Sequence, residues 1–324
     1  MLSCLPCEPA ESDMSSPTDI VIDNDGIPPP DTLTFLTYNV GLLRFQMFGL
    51  TVFSNPPHAG KRLPQIPPTL KSYPADILAI QECYEKRHAD FLRESLKDLY
   101  PHSARVKSGG LIKFHNGLLV FSKYPIAKCE LQRYHKVSSL EYHMATKSSL
   151  IVEVNIPGLG RVTFVNMHTT AGGTVDPEHP DADGDREDEL RQAAEVCELA
   201  RADGRIAIII GDLNCGPEAS AGNFNFILQR GFRDTYVEAV AAGKLLGGPE
   251  FTWDPKNYLN SIGPHKDSPG QRCDHVLLPT EGMENWHVEQ AQVLFDQKVV
   301  DVGEGLMSTL SDHHGLMVVI KKQP

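Results

Sequence analysis

Apolar residues along this chain gather in short, dense blocks bounded by turn formers. Leu33 to Val40, Ile77 to Gln81, Gly117 to Phe121, Leu150 to Val154, Val162 to Met167, Ile206 to Ile210, His275 to Leu278 and Leu316 to Ile320 each read as a strand. Between them, helices are expected over Lys86 to Leu99, Asp188 to Ala202 and Asn223 to Gln229. In the second of these, Leu190, Ala193, Ala194, Cys197 and Ala200 recur at the spacing of one helix face. Strands with intervening helices suit an α/β fold, a four-layer sandwich of two mixed β-sheets flanked by α-helices. Long Pro/Gly-rich loops are expected at Asn55 to Pro68, Ala171 to Gly184 and Lys256 to Gly270, where substrate contacts usually gather.

Residues 1 to 31 break this pattern. They are rich in Ser, Pro, Asp and Glu and run into Ile27-Pro28-Pro29-Pro30, so they read as a disordered leader before a single catalytic domain over 32 to 324. Cys4 and Cys7, beside Leu2 and Leu5, are candidates for S-acylation. The seven cysteines form neither a disulfide framework nor a paired zinc pattern, and no basic start precedes an apolar, cleavable run. No stretch reaches the length of a spanning helix. The expected location is therefore cytoplasmic, with two readings open for Cys4 and Cys7: unmodified cysteines, or an acylated, peripheral membrane tether. A net charge of -12 weighs against a nucleic-acid partner, because phosphate contacts normally draw on a basic surface. A phosphodiester substrate at a membrane surface is easier to accommodate, since bound cations can offset acidic charge locally.

The chemistry-bearing residues fall at the ends of the apolar blocks. Ile77 to Gln81 is followed by Glu82, a carboxylate at a strand tip that needs a cation or several donors; a hard ion such as Mg²⁺ suits it. Val162 to Met167 is followed by His168, able to protonate or hydrogen-bond a phosphoryl oxygen. After Ile206 to Ile210 come Gly211, Asp212, Leu213 and Asn214. That spacing lets Asp212 align an attacking water while Asn214 holds the phosphate. Asp274 opens one strand and Ser311-Asp312-His313-His314 precede the last. Asp274 is paired with His313 as carboxylate and imidazole, which leaves Asp312 near the metal. Asn39 alone reads as a turn former before Gly41. Asp181-x-Asp183-Gly184-Asp185 has its glycine too early for a calcium loop and reads as a solvated acidic loop. The greasy stretch Leu42 to Phe53, with Phe45, Phe48 and Phe53, is either core or a bilayer-facing lip.

Taken in order, Thr37-Tyr38-Asn39, Gln81-Glu82, Asn166-Met167-His168, Gly211-Asp212-Leu213-Asn214, Asp274-His275-Val276 and Ser311-Asp312-His313 resemble the endonuclease/exonuclease/phosphatase superfamily over about residues 32 to 322. The segment Gly110 to Ile126 makes the chain most similar to its neutral sphingomyelinases. The resemblance implies Asn39 and Glu82 at a Mg²⁺ site, with Mn²⁺ as a substitute. It also implies Asp212 and Asn214 positioning water and phosphate, Asp274 supporting His313, His168 acting on the opposite side, and Asn116 facing the phosphate. The expected reaction is hydrolysis of sphingomyelin to ceramide and phosphocholine. The chain departs from those enzymes after His168, where Thr169-Thr170-Ala171-Gly172-Gly173 leads into an acidic insertion. Two other readings remain: a metal-dependent nuclease or nucleotide/inositol phosphatase of the same superfamily, and a catalytically inactive membrane-associated binding module.

Overall fold

A strand that is apolar at every position needs cover on both faces. In the computed structural model, which describes residues 5–6, 28–47, 50–107, 115–135, 147–172, 182–263 and 265–323, the apolar blocks receive it. One sheet runs β14 (Trp286–Leu294), β17 (Gly315–Lys322), β2 (Thr32–Asn39), β5 (Ile77–Gln81), β7 (Leu119–Ser122), β6 (His102–Ala104). The other runs β1 (Leu5–Pro6), β8 (Ile126–Arg133), β9 (Ser148–Ile156), β10 (Gly160–His168), β11 (Ile206–Asp212), β13 (Asp274–Pro279), β12 (Phe232–Asp234). Both are mixed, because one neighbouring pair in each, β2 with β5 and β10 with β11, is parallel.

The two sheets pack face to face over Phe35, Ile77, Val120 and Val318 from the first and Val152, Phe164, Ile208 and Val276 from the second. The outer face of the first sheet, including Leu36, Leu78 and Ile80, is covered by α2 (Ile66–Lys71) and α3 (Lys86–Leu96). The outer face of the second, including Val165, Met167 and Ile209, is covered by α4 (Ala182–Ala202) and α5 (Ala221–Leu228). This is the expected α/β four-layer sandwich, and the face Leu190, Ala193, Ala194, Cys197 and Ala200 is buried as the spacing implied.

Several elements differ from the sequence reading. β8 and β14 are only partly buried and contain no apolar block. Leu43–Met47 (β3) and Leu50–Asn55 (β4) pair as a hairpin. The side chains of 45–53 lie outside the described residues, so the core-or-lip alternative for Phe45, Phe48 and Phe53 is left there. The loop expected at Asn55 to Pro68 contains α1 (Ala59–Arg62), a 3-10 turn over Leu63–Gln65 and the start of α2; prolines occupy first-turn positions, where the missing N–H costs nothing. α4 begins at Ala182 and not at Asp188. Cys4, Cys7 and almost all of the expected leader lie outside the described residues.

Candidate active site

Register does the assembling. The parallel pairing of β2 and β5 sets Asn39 beside Gln81, with Glu82 one residue on. In the other sheet β10 and β11 set His168 beside Asp212, and the antiparallel pairing of β11 with β13 sets Asp212 beside Asp274. The sheets meet at this end through Asn39, whose Nδ2 donates to Glu82 Oε1 at 3.2 Å and to Asp212 Oδ2 at 2.9 Å. Its Oδ1 accepts from the Gly41 N–H at 3.0 Å. His313, carried on the segment before β17, binds Asp274 Oδ2 through Nδ1 at 2.9 Å and puts Nε2 3.7 Å from Asp212 Oδ2. His168 Nε2 stands 3.8 Å from the same Asp212 oxygen and 3.7 Å from Glu82 Oε1. Thus two imidazoles flank one carboxylate from either side.

Asn214 holds a left-handed backbone (φ 44°) that turns its N–H back onto Asp212 Oδ1 at 2.9 Å, while its Nδ2 donates to Thr169 O at 3.0 Å. Asp312 accepts from Ser311 Oγ at 3.0 Å. Asn116 is buried on the segment leading into β7, where its Nδ2 reaches Ser148 Oγ at 3.3 Å. The next residue, Gly117, packs against the Glu82 backbone. The residues singled out at the strand ends therefore converge on one end of the sandwich, with Asn116 at its margin.

Electrostatics separates the carboxylates. Burial, reinforced by Asp312, pushes Glu82 up to about 7. Burial, with Asp212 nearby, raises Asp274 to about 6 despite His313. Asp212 is equally buried, yet His313, His168 and the N–H bonds from Asn39 and Asn214 outweigh burial and hold it below the usual carboxylate range. Burial works against charge on His313, but Asp274 and Asp212 overcome it and hold the imidazole well above its ordinary value. The result is an ionised Asp212 facing a protonated His313.

The donor set fits a hard divalent cation. Glu82 and Asp312 are neighbouring carboxylates, and the buried guanidinium of Arg62 that offsets their charge is committed to backbone carbonyls. Asp212, Asp274 and His313 also offer ligand atoms within 4.8 Å of one another. Because His313 Nδ1 is already bound to Asp274, that trio suits proton handling better than ligation.

Sequence reading gave no part to several residues that build the site. Arg62 is fully buried and donates to the carbonyls of Val40 (3.0 Å), Leu310 (2.7 Å), Pro57 (2.9 Å), Pro56 (3.2 Å) and Gly41. Gln81 and Asn166 join the sheets beneath the site through Gln81 Nε2 to Asn166 Oδ1 at 2.8 Å. Thr252 Oγ1 accepts from the N–H groups of Cys273 and Asp274 at 2.9 and 3.0 Å. The signal for Gln81 and Asn166 was present, since each is an amide inside an otherwise apolar strand. The acidic-loop reading is corrected at Asp183. This residue sits in the first turn of α4, takes Arg186 Nη1 at 2.8 Å and Ser220 Oγ at 2.6 Å, and Arg186 in turn donates to Thr170 O. Glu189 accepts from the Thr170 N–H at 2.7 Å, so the start of α4 braces the strand end that carries His168. Asp181 lies outside the described residues.

Gly41 shows how tightly the site is closed. Its φ of 54° disfavours a side chain, and a Cβ there would lie 2.5 Å from Asp312 Oδ1 and 2.9 Å from Ser311 Oγ. Gly41→Ala should cost about 1–3 kcal/mol in chemical unfolding. It should also weaken metal-dependent turnover more than a surface Gly→Ala change such as Gly247→Ala, whose Cβ meets nothing and whose φ lies outside the left-handed region.

The model of the Endonuclease/Exonuclease/phosphatase family matches residues 36–313. No curated protein matches the sequence at a significant level. Among solved structures, sphingomyelinase C from Streptomyces griseocarneus is similar at 20% identity and TM-score 0.68, covering 89% of this chain and 99% of its own. A double mutant of beta toxin from Staphylococcus aureus, determined with bound magnesium ions, is similar at 16% identity and TM-score 0.68, covering 90% and 99%. TDP2 from C. elegans is similar at 17% identity and TM-score 0.62, covering 90% and 75%.

Proposed function

The chain belongs to the endonuclease/exonuclease/phosphatase family, and on that premise we propose that it is a divalent-metal-dependent phosphodiesterase that hydrolyses sphingomyelin to ceramide and phosphocholine. The observation that carries the chemistry is Asp212: ionised, buried, held by Asn39 and the Asn214 N–H, and flanked by two imidazoles within 4 Å. Asp212 aligns a water for attack on phosphorus and receives its proton. His168 and His313 direct Nε2 toward the space beside Asp212, where each donates to phosphoryl oxygens as charge builds. Asp274 takes the His313 Nδ1–H, which orients the ring and leaves Nε2–H free to donate. Asn214 and Asn116 hold the phosphate, the latter from the margin of the site. When bound, a magnesium ion held by Glu82 and Asp312 beside Asn39 supplies Lewis-acid stabilisation of a phosphoryl oxygen; Mn²⁺ is the expected substitute.

The lipid assignment draws on the similarity to sphingomyelinase C along nearly the whole of that chain and on the acidic net charge. No helix among the described residues is long and apolar enough to cross a membrane. A nuclease or nucleotide/inositol phosphatase is the second reading, favoured by the comparable likeness to TDP2. An inactive binding module fits poorly with so complete a set of polar residues. Phosphocholine release from sphingomyelin in mixed micelles should appear with magnesium and vanish with chelator. Metal-dependent DNA nicking without phosphocholine release would keep the site and reject the lipid.

The Glu82 carboxyl near 7 has a consequence for metal dependence. A proton must leave before an ion binds there, so ion binding is favoured at higher pH and opposed as pH falls through 7. Lowering pH from 7.5 to 6 should raise the magnesium concentration for half-maximal turnover by about tenfold. A metal titration at both pH values checks this; no shift would remove Glu82 from the ion site.

A further inference from the structure

Behind the carboxylates that are to hold an ion, one polar atom is left without a partner. Tyr38 is the last residue but one of β2, and its side chain joins the apolar layer between the first sheet and its helices. Its ring packs on Phe295 with centroids 4.8 Å apart. The residue is wholly buried, and its hydroxyl has no hydrogen-bond partner among the described residues. Buried hydroxyls are ordinarily paired, so this one needs a reason.

Its neighbours supply the reason. The polar side chain beside the hydroxyl is that of Ser311, and the charges of Arg62 and Asp312 act on it. Arg62 can only donate, and it is taken up by carbonyls. Ser311 is fixed at its backbone, where its carbonyl accepts from Asn257 Nδ2 at 2.9 Å, and its Oγ accepts from the His313 N–H at 3.3 Å. Its single O–H goes to Asp312 Oδ1 at 3.0 Å. A hydroxyl proton turns about the Cβ–Oγ bond, so Ser311 can serve either neighbour. One is the Asp312 carboxylate, as in this structure; the other is the Tyr38 oxygen, once the pair closes to hydrogen-bonding distance. An ion held by Asp312 competes for the lone pairs that Ser311 now uses.

We propose that Tyr38 is a positioning residue for the metal site: when an ion binds, the Ser311 hydroxyl leaves Asp312 Oδ1 for Tyr38 Oη, which frees the carboxylate without orphaning Ser311. The inference rests on the assignment of Glu82 and Asp312 to the ion. It gives the Tyr38 hydroxyl two effects of opposite sign. In the metal-free chain it is a buried polar group without a bond and lowers stability. In the loaded chain it is the acceptor that Ser311 needs, and it tightens ion binding.

Tyr38→Phe removes the hydroxyl and keeps the ring. The metal-free variant should melt about 2 °C above wild type. Its magnesium affinity, measured by calorimetric titration of the full chain after chelation and dialysis, should fall about fivefold, the worth of one net hydrogen bond. A residue that only packs would not raise stability and weaken the ion together. In a Ser311→Ala background there is no hydroxyl to receive, so Tyr38→Phe should leave magnesium affinity unchanged. Glu82→Gln tests the ion assignment itself and should weaken binding by about tenfold or more. Equal affinity of wild type and Tyr38→Phe overturns the proposal; if Glu82→Gln still weakens binding, the ion assignment stands without it. An unaffected Glu82→Gln overturns both. A metal-free Tyr38→Phe that melts below wild type also overturns the proposal, since the hydroxyl would then be bonded before any ion arrives. So does a full effect of Tyr38→Phe beside Ser311→Ala.

Discussion

Asp212→Asn should lower turnover of a phosphodiester substrate by about 10³-fold or more while leaving the circular dichroism spectrum unchanged. Asparagine keeps the shape of the side chain and one oxygen for the Asn214 N–H, so the local turn survives. What is lost is the charge, together with the oxygen that accepts from Asn39 Nδ2. Asp212 is the only one of the strand-end carboxylates that its surroundings hold below the usual range; Glu82 and Asp274 are pushed up by burial. It is therefore the carboxylate that stays ionised at neutral pH, able to accept a hydrogen bond from water and align it for attack. Its loss also removes the carboxylate that both His168 and His313 face, which should lower the pKa of His313 and shift the pH profile as well as its height. Turnover within tenfold of wild type would move the base elsewhere, with Glu82 the next group to test.

The strand ends were legible because they obey a local rule. A carboxylate, amide or imidazole that ends a wholly apolar run, as Glu82, His168 and Asp212 do, is out of place unless several such ends meet. The four-layer arrangement was legible for a related reason: Ile206 to Ile210 is apolar on both faces, so something must cover each. The remainder depends on register and on distant partners. β8 alternates polar and apolar residues at a half-covered edge and leaves no dense block to notice. Asp183, Arg186 and Glu189 look solvated in one dimension because their partners Thr170, Ser220 and Asn223 lie elsewhere in the chain. Arg62 sits in a Pro-rich stretch that reads as a loop, and its acceptors are carbonyls, which no side-chain pattern discloses.

Arg62→Met should destabilise the fold by about 3–5 kcal/mol, the usual cost of removing one member of a buried charged network. Its guanidinium serves five carbonyls drawn from three separate segments: Val40 and Gly41 after β2, Pro56 and Pro57 before α1, and Leu310 ahead of the final strand. Methionine fills much of the volume but donates to none of those oxygens; Pro56 O keeps Ser54 Oγ at 3.0 Å, and each oxygen left unsatisfied costs about 1–3 kcal/mol before relaxation. Burial disfavours the guanidinium charge and Asp312, Tyr38 and Glu82 offset this only in part; the residue contributes positive potential behind the carboxylates that are to hold a cation. Lysine restores the charge but has three donors on one atom and no planar fork, so Arg62→Lys should recover only part of the loss. Urea unfolding measures this directly: a lower midpoint at unchanged m-value is the expected result. Because Gly41 and Leu310 flank Asn39 and Asp312, the magnesium requirement of Arg62→Lys should rise even where the protein is fully folded. An unchanged midpoint in Arg62→Met would mean that other donors or water take over the carbonyls, and that the three segments hold their places without it.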